Sequence, residues 1–162
     1  MKVKFQNFLE RFPEVELPVT LSDETLLAFS KENLPLQPLM IQQHINLFED
    51  LELDEFTEYI PCFKIPKTDF FHAVVYWRGS LLDYQFILIT YDKNGDFIDS
   101  KTLAGTFSDG NVITKSVATI DEDWMIYVVS GQQANTANAY NAASSKTTEL
   151  ELLPDGIIVV GE

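Results

Sequence analysis

One cysteine, Cys62, is present in 162 residues, so no intramolecular disulfide can form and the core alone must hold the fold. A chain of this length buries enough apolar surface to fold without disulfide or metal support, and the lack of disulfides suits a reducing compartment. Positive charge is also scarce. Eleven Lys and Arg stand against 25 Asp and Glu, a net charge of −14. Nucleic acid and anionic membrane surfaces are bound by clustered Lys and Arg, so both are disfavoured, whereas a basic protein partner is favoured. No apolar run approaches the roughly 20 residues of a membrane span, so no membrane insertion is expected. The beginning, MKVKFQNFLERF, is broken by Gln6, Asn7, Glu10 and Arg11, where a signal peptide would be continuously apolar. A cytoplasmic location follows as the expectation, unless a leader has been removed.

Catalytic and metal signatures are missing as well. Seven glycines mark turns and form no phosphate-cradling loop, and no G-x-S-x-G is present. His44, His72 and Cys62, the sequence's only nitrogen and sulfur ligands, show none of the close paired spacing of a zinc site. His44 stands three residues after Ile41 on a helical pattern and His72 in an apolar strand, so both read as core or interface residues. Cys62, beside Pro61 and with no basic cluster to activate it, reads as a buried structural thiol. With 25 acids, a carboxylate pair can be drawn anywhere and singles out nothing. No enzymatic activity, cofactor or metal is expected.

Aromatic residues, in contrast, are plentiful: twelve Phe, six Tyr and two Trp. In VKFQNFLERF, Phe5, Phe8, Leu9 and Phe12 fall at helical spacing, and Pro13 ends the run. EVELPV is extended, with Pro18 excluding a central strand position. Ser22 can cap DETLLAFSKEN, whose first turn carries Asp23 and Glu24, as the helix dipole prefers. Pro38 suits the first turn of LMIQQHINLF. From residue 57 the pattern becomes strands. FFHAVVYW and YQFILITY are apolar at successive positions, with Phe86 and Leu88 on one side and Ile87 and Ile89 on the other, so each needs cover on both faces. FIDSKTL, VITKSVATI, WMIYVV, TELELL and GIIVV follow, separated by Asn94-Gly95, Asp109-Gly110, Asp121-Glu122-Asp123 and Asp155-Gly156. In TELELL, Leu150 and Leu152 alternate with Glu149 and Glu151, which gives one dry and one wet face. The predicted architecture is α+β: short N-terminal helices packed on a curved, mostly antiparallel β-meander. It forms a single domain over 1–162, with a helical and connector region at 1–56 and a β region at 57–162. SGQQANTANAYNAASSK, at 130–146, has almost no core-forming residues. It reads as a long connection between two strands, a disordered stretch or plain excursion rather than a binding loop.

TYDKNGDFID, residues 90–99, spaces Asp92, Asn94, Asp96 and Asp99 as oxygen ligands are spaced in calcium loops. Counted from Asp92, however, the sixth and twelfth positions are Phe97 and Leu103, where a helix-loop-helix site needs Gly and Glu. Between two strands, Asn94-Gly95 instead predicts a type I′ turn, with Lys93 facing Asp96.

Two resemblances accompany these patterns. ITYDKNGDFID…LAG, followed by an I-D-x-D-W-x-I strand, resembles small uncharacterised β-rich bacterial proteins that carry a T-[FY]-D-x-x-G-x-x-I turn. Its specific part is turn chemistry, which implies a β-rich fold and no particular activity. FLERF…LP…LLAFSKEN is similar to the start of an immunity-protein superfamily of bacterial toxin systems, and departs from it at Leu34-Pro35, where that family has glycines. The function expected is therefore a small acidic protein-binding module, an immunity-type stoichiometric inhibitor of a basic partner. Glu52, Asp54, Glu55 and Glu58 would steer the encounter, with Phe56 and Tyr59 as anchors. Read more plainly, the acidic run 48–58 is a solvated surface. The alternatives are an apolar pocket for a small ligand, lined by Phe70, Phe71, Tyr76, Trp77, Tyr84, Phe86 and Trp124, or a structural protein of the cell envelope.

Overall fold

The computed structural model describes residues 2–46, 56–80, 83–108, 110–134 and 141–161. Its architecture is α+β and mostly antiparallel. Among the described residues nine strands form one sheet. Strands β2 (Glu58–Lys64), β3 (Phe71–Gly79), β4 (Asp83–Asp92) and β5 (Phe97–Ser108) follow one another as neighbours. So do β6 (Val112–Ile120), β7 (Met125–Ala134), β8 (Asn141–Leu152) and β9 (Ile158–Val160). The short β1 (Val19–Leu21) begins directly after Pro18 and pairs with the far half of β6, Leu21 opposite Ala118. Nothing in EVELPV announces that strand. Two further differences concern length. Residues 130–134 and 141–146, expected as a connection, belong to β7 and β8, because backbone pairing tolerates small polar side chains on a hairpin. The first helix, α1, spans only Phe5–Leu9 and tightens into turns before Pro13.

Because β3 and β4 are apolar on both faces, two clusters form around them. On one side Val74, Tyr76, Ile87, Ile89 and Tyr91 meet Phe8, Phe12, Met40 and Ile45 from the N-terminal helical region. On the other, Val75, Trp77, Phe86 and Leu88 join Leu103, Ala118, Ile120, Ile126, Leu150 and Leu152. Each buried Val, Leu, Ile, Met or Phe among them contributes about 1.5–3 kcal/mol. Helix α2 (Asp23–Glu32) opens at Ser22, whose N–H donates to the Thr25 hydroxyl at 2.9 Å. It lies beside β2, with Phe29 5.6 Å from Phe63. Helix α3 (Pro38–Ile41) runs into a single π-helical turn, Gln42–Asn46. No helix of the described residues is long and apolar enough to cross a membrane.

The exposed edge of β2 is covered rather than left open. Pro61 lacks an N–H and sits at a bulge, as proline in sheets must. Asn33, at the end of α2, donates to the carbonyls of Pro61 and Cys62 at 2.7 and 2.9 Å. At the other end, the buried Thr90 hydroxyl donates to the Gly156 carbonyl at 2.7 Å, and the Ile158 N–H donates to Asp99 at 2.9 Å. These two bonds tie the β8–β9 hairpin to β4 and β5.

Three hairpins share one turn geometry. In each, a residue donates across to the fourth residue after it: Asp92 to Asp96 (2.8 Å), Asp121 to Met125 (2.8 Å) and Leu153 to Ile157 (2.9 Å). The residue just before the far partner is left-handed: Gly95 at φ 90°, Trp124 at 66° and Gly156 at 90°. The type I′ turn expected at Asn94-Gly95 is therefore replaced by a turn with one left-handed residue, and Asp92, not Lys93, faces Asp96. The Asp92 carboxylate explains the choice, because it accepts the N–H of Asn94 at 2.9 Å and of Asp96 at 3.0 Å.

Gly105 is a different case. A Cβ there would stand 1.9 Å from the Tyr84 carbonyl oxygen, whereas one at Gly110 (φ 97°) would meet nothing within 4 Å. Gly110→Ala should cost about 1–2 kcal/mol from backbone conformation alone. Gly105→Ala should cost clearly more, because the β4–β5 pairing must shift. Urea unfolding of the two variants reads this difference directly, and equal midpoints would contradict it.

Candidate functional site

The acidic run lies where the chain leaves the π-helical turn and enters β2. Glu52, Asp54 and Glu55 lie outside the described residues. Phe56 is exposed, and so is Glu58 at the first position of β2. Tyr59 points into the fold instead. Its hydroxyl donates to Asn46 at 3.1 Å, and its ring lies 6.1 Å from that of Tyr76.

The ligand-type side chains have structural partners. His44 is buried, with Nε2 3.0 Å from the Val3 carbonyl and its ring 5.1 Å from Phe8. Its own carbonyl accepts the Tyr91 hydroxyl. Burial lowers the His44 pKa, opposed by the Val3 hydrogen bond and assisted by Lys2. Half-buried His72 lies 5.7 Å from Phe5, and burial with Lys93 and Lys64 nearby lowers its pKa as well. Cys62 is a buried free thiol, driven by burial above its ordinary pKa range. Asp99, the last of the calcium-like oxygens, accepts backbone N–H groups of Ser100 and Ile158. Among the described residues no three His, Cys, Asp or Glu side chains converge to hold a metal.

The face of the sheet away from the larger cluster differs along its width. Over β3 and β4 it is packed against the helical region. Over β6, β7 and β8 it carries Val117 opposite Val129, Thr119 opposite Tyr127 and Tyr127 opposite Glu149. Val117, Tyr127 and Val129 are 43%, 37% and 47% exposed. Thr20 of β1 extends the row, its hydroxyl 3.2 Å from that of Thr119. Carboxylates stand beside this apolar row. Partial desolvation and the negative charge of Asp123, Asp121 and Glu149 push the Tyr127 phenol above its ordinary pKa. Lys115 is the cation farther along β6 on the same side.

The hairpin tip joins this face to a groove of about 820 Å³. Its walls are Glu14 to Leu17 before β1, Pro66 and Lys67 of the β2–β3 connection, and Glu122 and Trp124 of the hairpin. Lys67 and Trp124 are the two non-glycine residues of positive φ among the described residues. Trp124 occupies the position that the other two hairpins give to glycine. Its half-buried indole meets Phe71 edge-on at 5.6 Å, and this packing offsets the backbone strain. An indole beside three carboxylates can hold a guanidinium or ammonium group by cation–π and charge attraction. The sequence pattern of VITKSVATI and WMIYVV shows two alternating faces but not which of them stays uncovered, so Val117, Tyr127 and Val129 were not foreseen.

Compared with family models, curated proteins and solved structures, the chain matches none.

Two titrations follow. Burial holds both folded histidines below the ordinary histidine pKa of about 6.5, so the unfolded chain takes up protons first as pH falls. Their contribution to stability should be complete above about pH 6.5 and decline below it. Urea midpoints at about pH 7.5 and 5.5 should show that loss, and a His72→Phe variant should show less of it. Asp123→Asn should move the Tyr127 phenol down toward its ordinary value of about 10, followed by ultraviolet absorbance or by NMR of the ring. An unmoved or raised value would contradict the arrangement of charges.

Proposed function

We propose that this chain is a small acidic protein-binding domain, an immunity-type stoichiometric inhibitor of a basic protein, which docks its partner on the outer face of β6–β8. One observation carries the reading: an exposed tyrosine between exposed valines, set among carboxylates, on a sheet face that is packed elsewhere. Apolar contact area with one aromatic anchor sets residence time, while surrounding charge speeds encounter and selects the sign of the partner. The groove beside Trp124 receives a basic side chain of that partner. The acidic run with Glu52, Asp54, Glu55 and Glu58 adds to the long-range field, with Phe56 at its border. In this reading the N-terminal helices cover one part of a curved meander and leave its far strands for the partner. The domain works by binding rather than by chemistry, in the cytoplasm, with Cys62 as an inert thiol.

A tagged full-length chain should retain a basic protein from its native lysate at about 50 mM salt and lose it progressively toward about 500 mM. The double variant Tyr127→Ser, Val129→Ser should weaken that binding about tenfold or more, whereas Leu27→Ser, exposed on α2, should leave it unchanged. Retention indifferent to salt, or a double variant that binds as the parent does, would overturn the proposal.

A further inference from the structure

The inner face of β6–β8 changes character along the strands. Near the hairpin tip it is filled by Ile120, Ala118, Ile126, Leu152 and Leu150, all buried. Farther along, the same rows continue as Ser116 and Thr114 on β6 and Thr148 on β8, each too small to fill the space. On the neighbouring strand β5, Ala104 and Gly105 continue the trough; Gly105 pairs with Ser116 and lies so close to Tyr84 that no side chain fits. The result is a trough of about 350 Å³, at the lower end of the roughly 300–1,000 Å³ typical of small-molecule sites. Leu103, Val128, Leu150 and Val160 form apolar walls. Tyr84, stacked on Trp77 at 5.6 Å, and the half-exposed Phe107 add aromatic surface.

Two features narrow the occupant. Among the described residues no carboxylate lines the trough, in a chain of net charge −14, and the charged side chain there is Lys101. The hydroxyls of Thr106, Thr114, Ser116 and Thr148 have no protein hydrogen-bond partner among the described residues. From this we infer that the trough is a binding site for a small amphiphile, with an apolar body between β5 and β8 and a single carboxylate toward Lys101. The site lies on the opposite face of the sheet from the proposed docking surface and does not depend on it. Of the aromatic residues expected to line such a pocket, Tyr84 does so; Phe71, Tyr76, Trp77 and Phe86 are core, and Phe70 is exposed.

The test titrates the isotopically labelled full chain with decanoate, decanol and decyltrimethylammonium, each below its micelle concentration, and follows amide shifts by NMR. Decanoate should give saturable shifts centred on Lys101–Phe107, Thr114, Ser116 and Thr148, with the ammonium compound about fivefold weaker or more. Lys101→Gln should remove that preference and leave decanol unchanged. Ser116→Leu should fill the trough and abolish all three; if it does not fold, Thr148→Leu fills the same space from β8. No saturable shift with any probe, equal affinity for the two charged probes, or shifts that survive the filling substitution would each overturn the inference.

Discussion

Strands β3 and β4 can exist only where water is kept from both of their faces. Val75, Trp77, Phe86 and Leu88 on one side and Val74, Tyr76, Ile87 and Ile89 on the other leave neither face fit for solvent. One side is closed by the rest of the sheet, tied back through Thr90 to Gly156 and through Asp99 to Ile158. The other is closed by short helical pieces that would be unstable in isolation. A five-residue helix has no stability of its own in water, so Phe8 and Phe12 hold α1 in place, not the reverse.

The helical cover does not extend across the whole sheet, and the candidate site lies beyond it. Val117, Tyr127 and Val129 occupy positions that would be core if another helix followed. They are surface because the described helical pieces pack over β3 and β4 instead. Carboxylates at Asp121, Asp123 and Glu149 surround Tyr127 there and make that part of the face negative.

Trp124 shows how a site can cost local stability and keep it through packing. Glycine holds the equivalent position in two hairpins of the same geometry, while here an indole accepts a left-handed backbone and rests on Phe71. Among the described residues, both non-glycine left-handed positions border the same groove. The inner trough follows the opposite rule. There, small residues replace large ones in rows that are otherwise filled, and the interior is left incomplete.

The sequence by itself determined the apolar strands β3 and β4, the two-faced burial of Phe86, Ile87, Leu88 and Ile89 and the wet and dry faces of Leu150–Leu152, because these follow from side-chain periodicity. It also determined the acidic character. It did not determine the turn at Asp92–Asp96, where a side-chain carboxylate competes with intrinsic turn preference, nor β1, whose three residues acquire strand geometry only by pairing with β6. Glu58 and Phe56 could be read as exposed from their neighbours, but Tyr59 could not be read as bonded to Asn46. Which face of β7 meets solvent was decided only by tertiary structure, since alternation defines two faces and the placement of distant helices chooses between them.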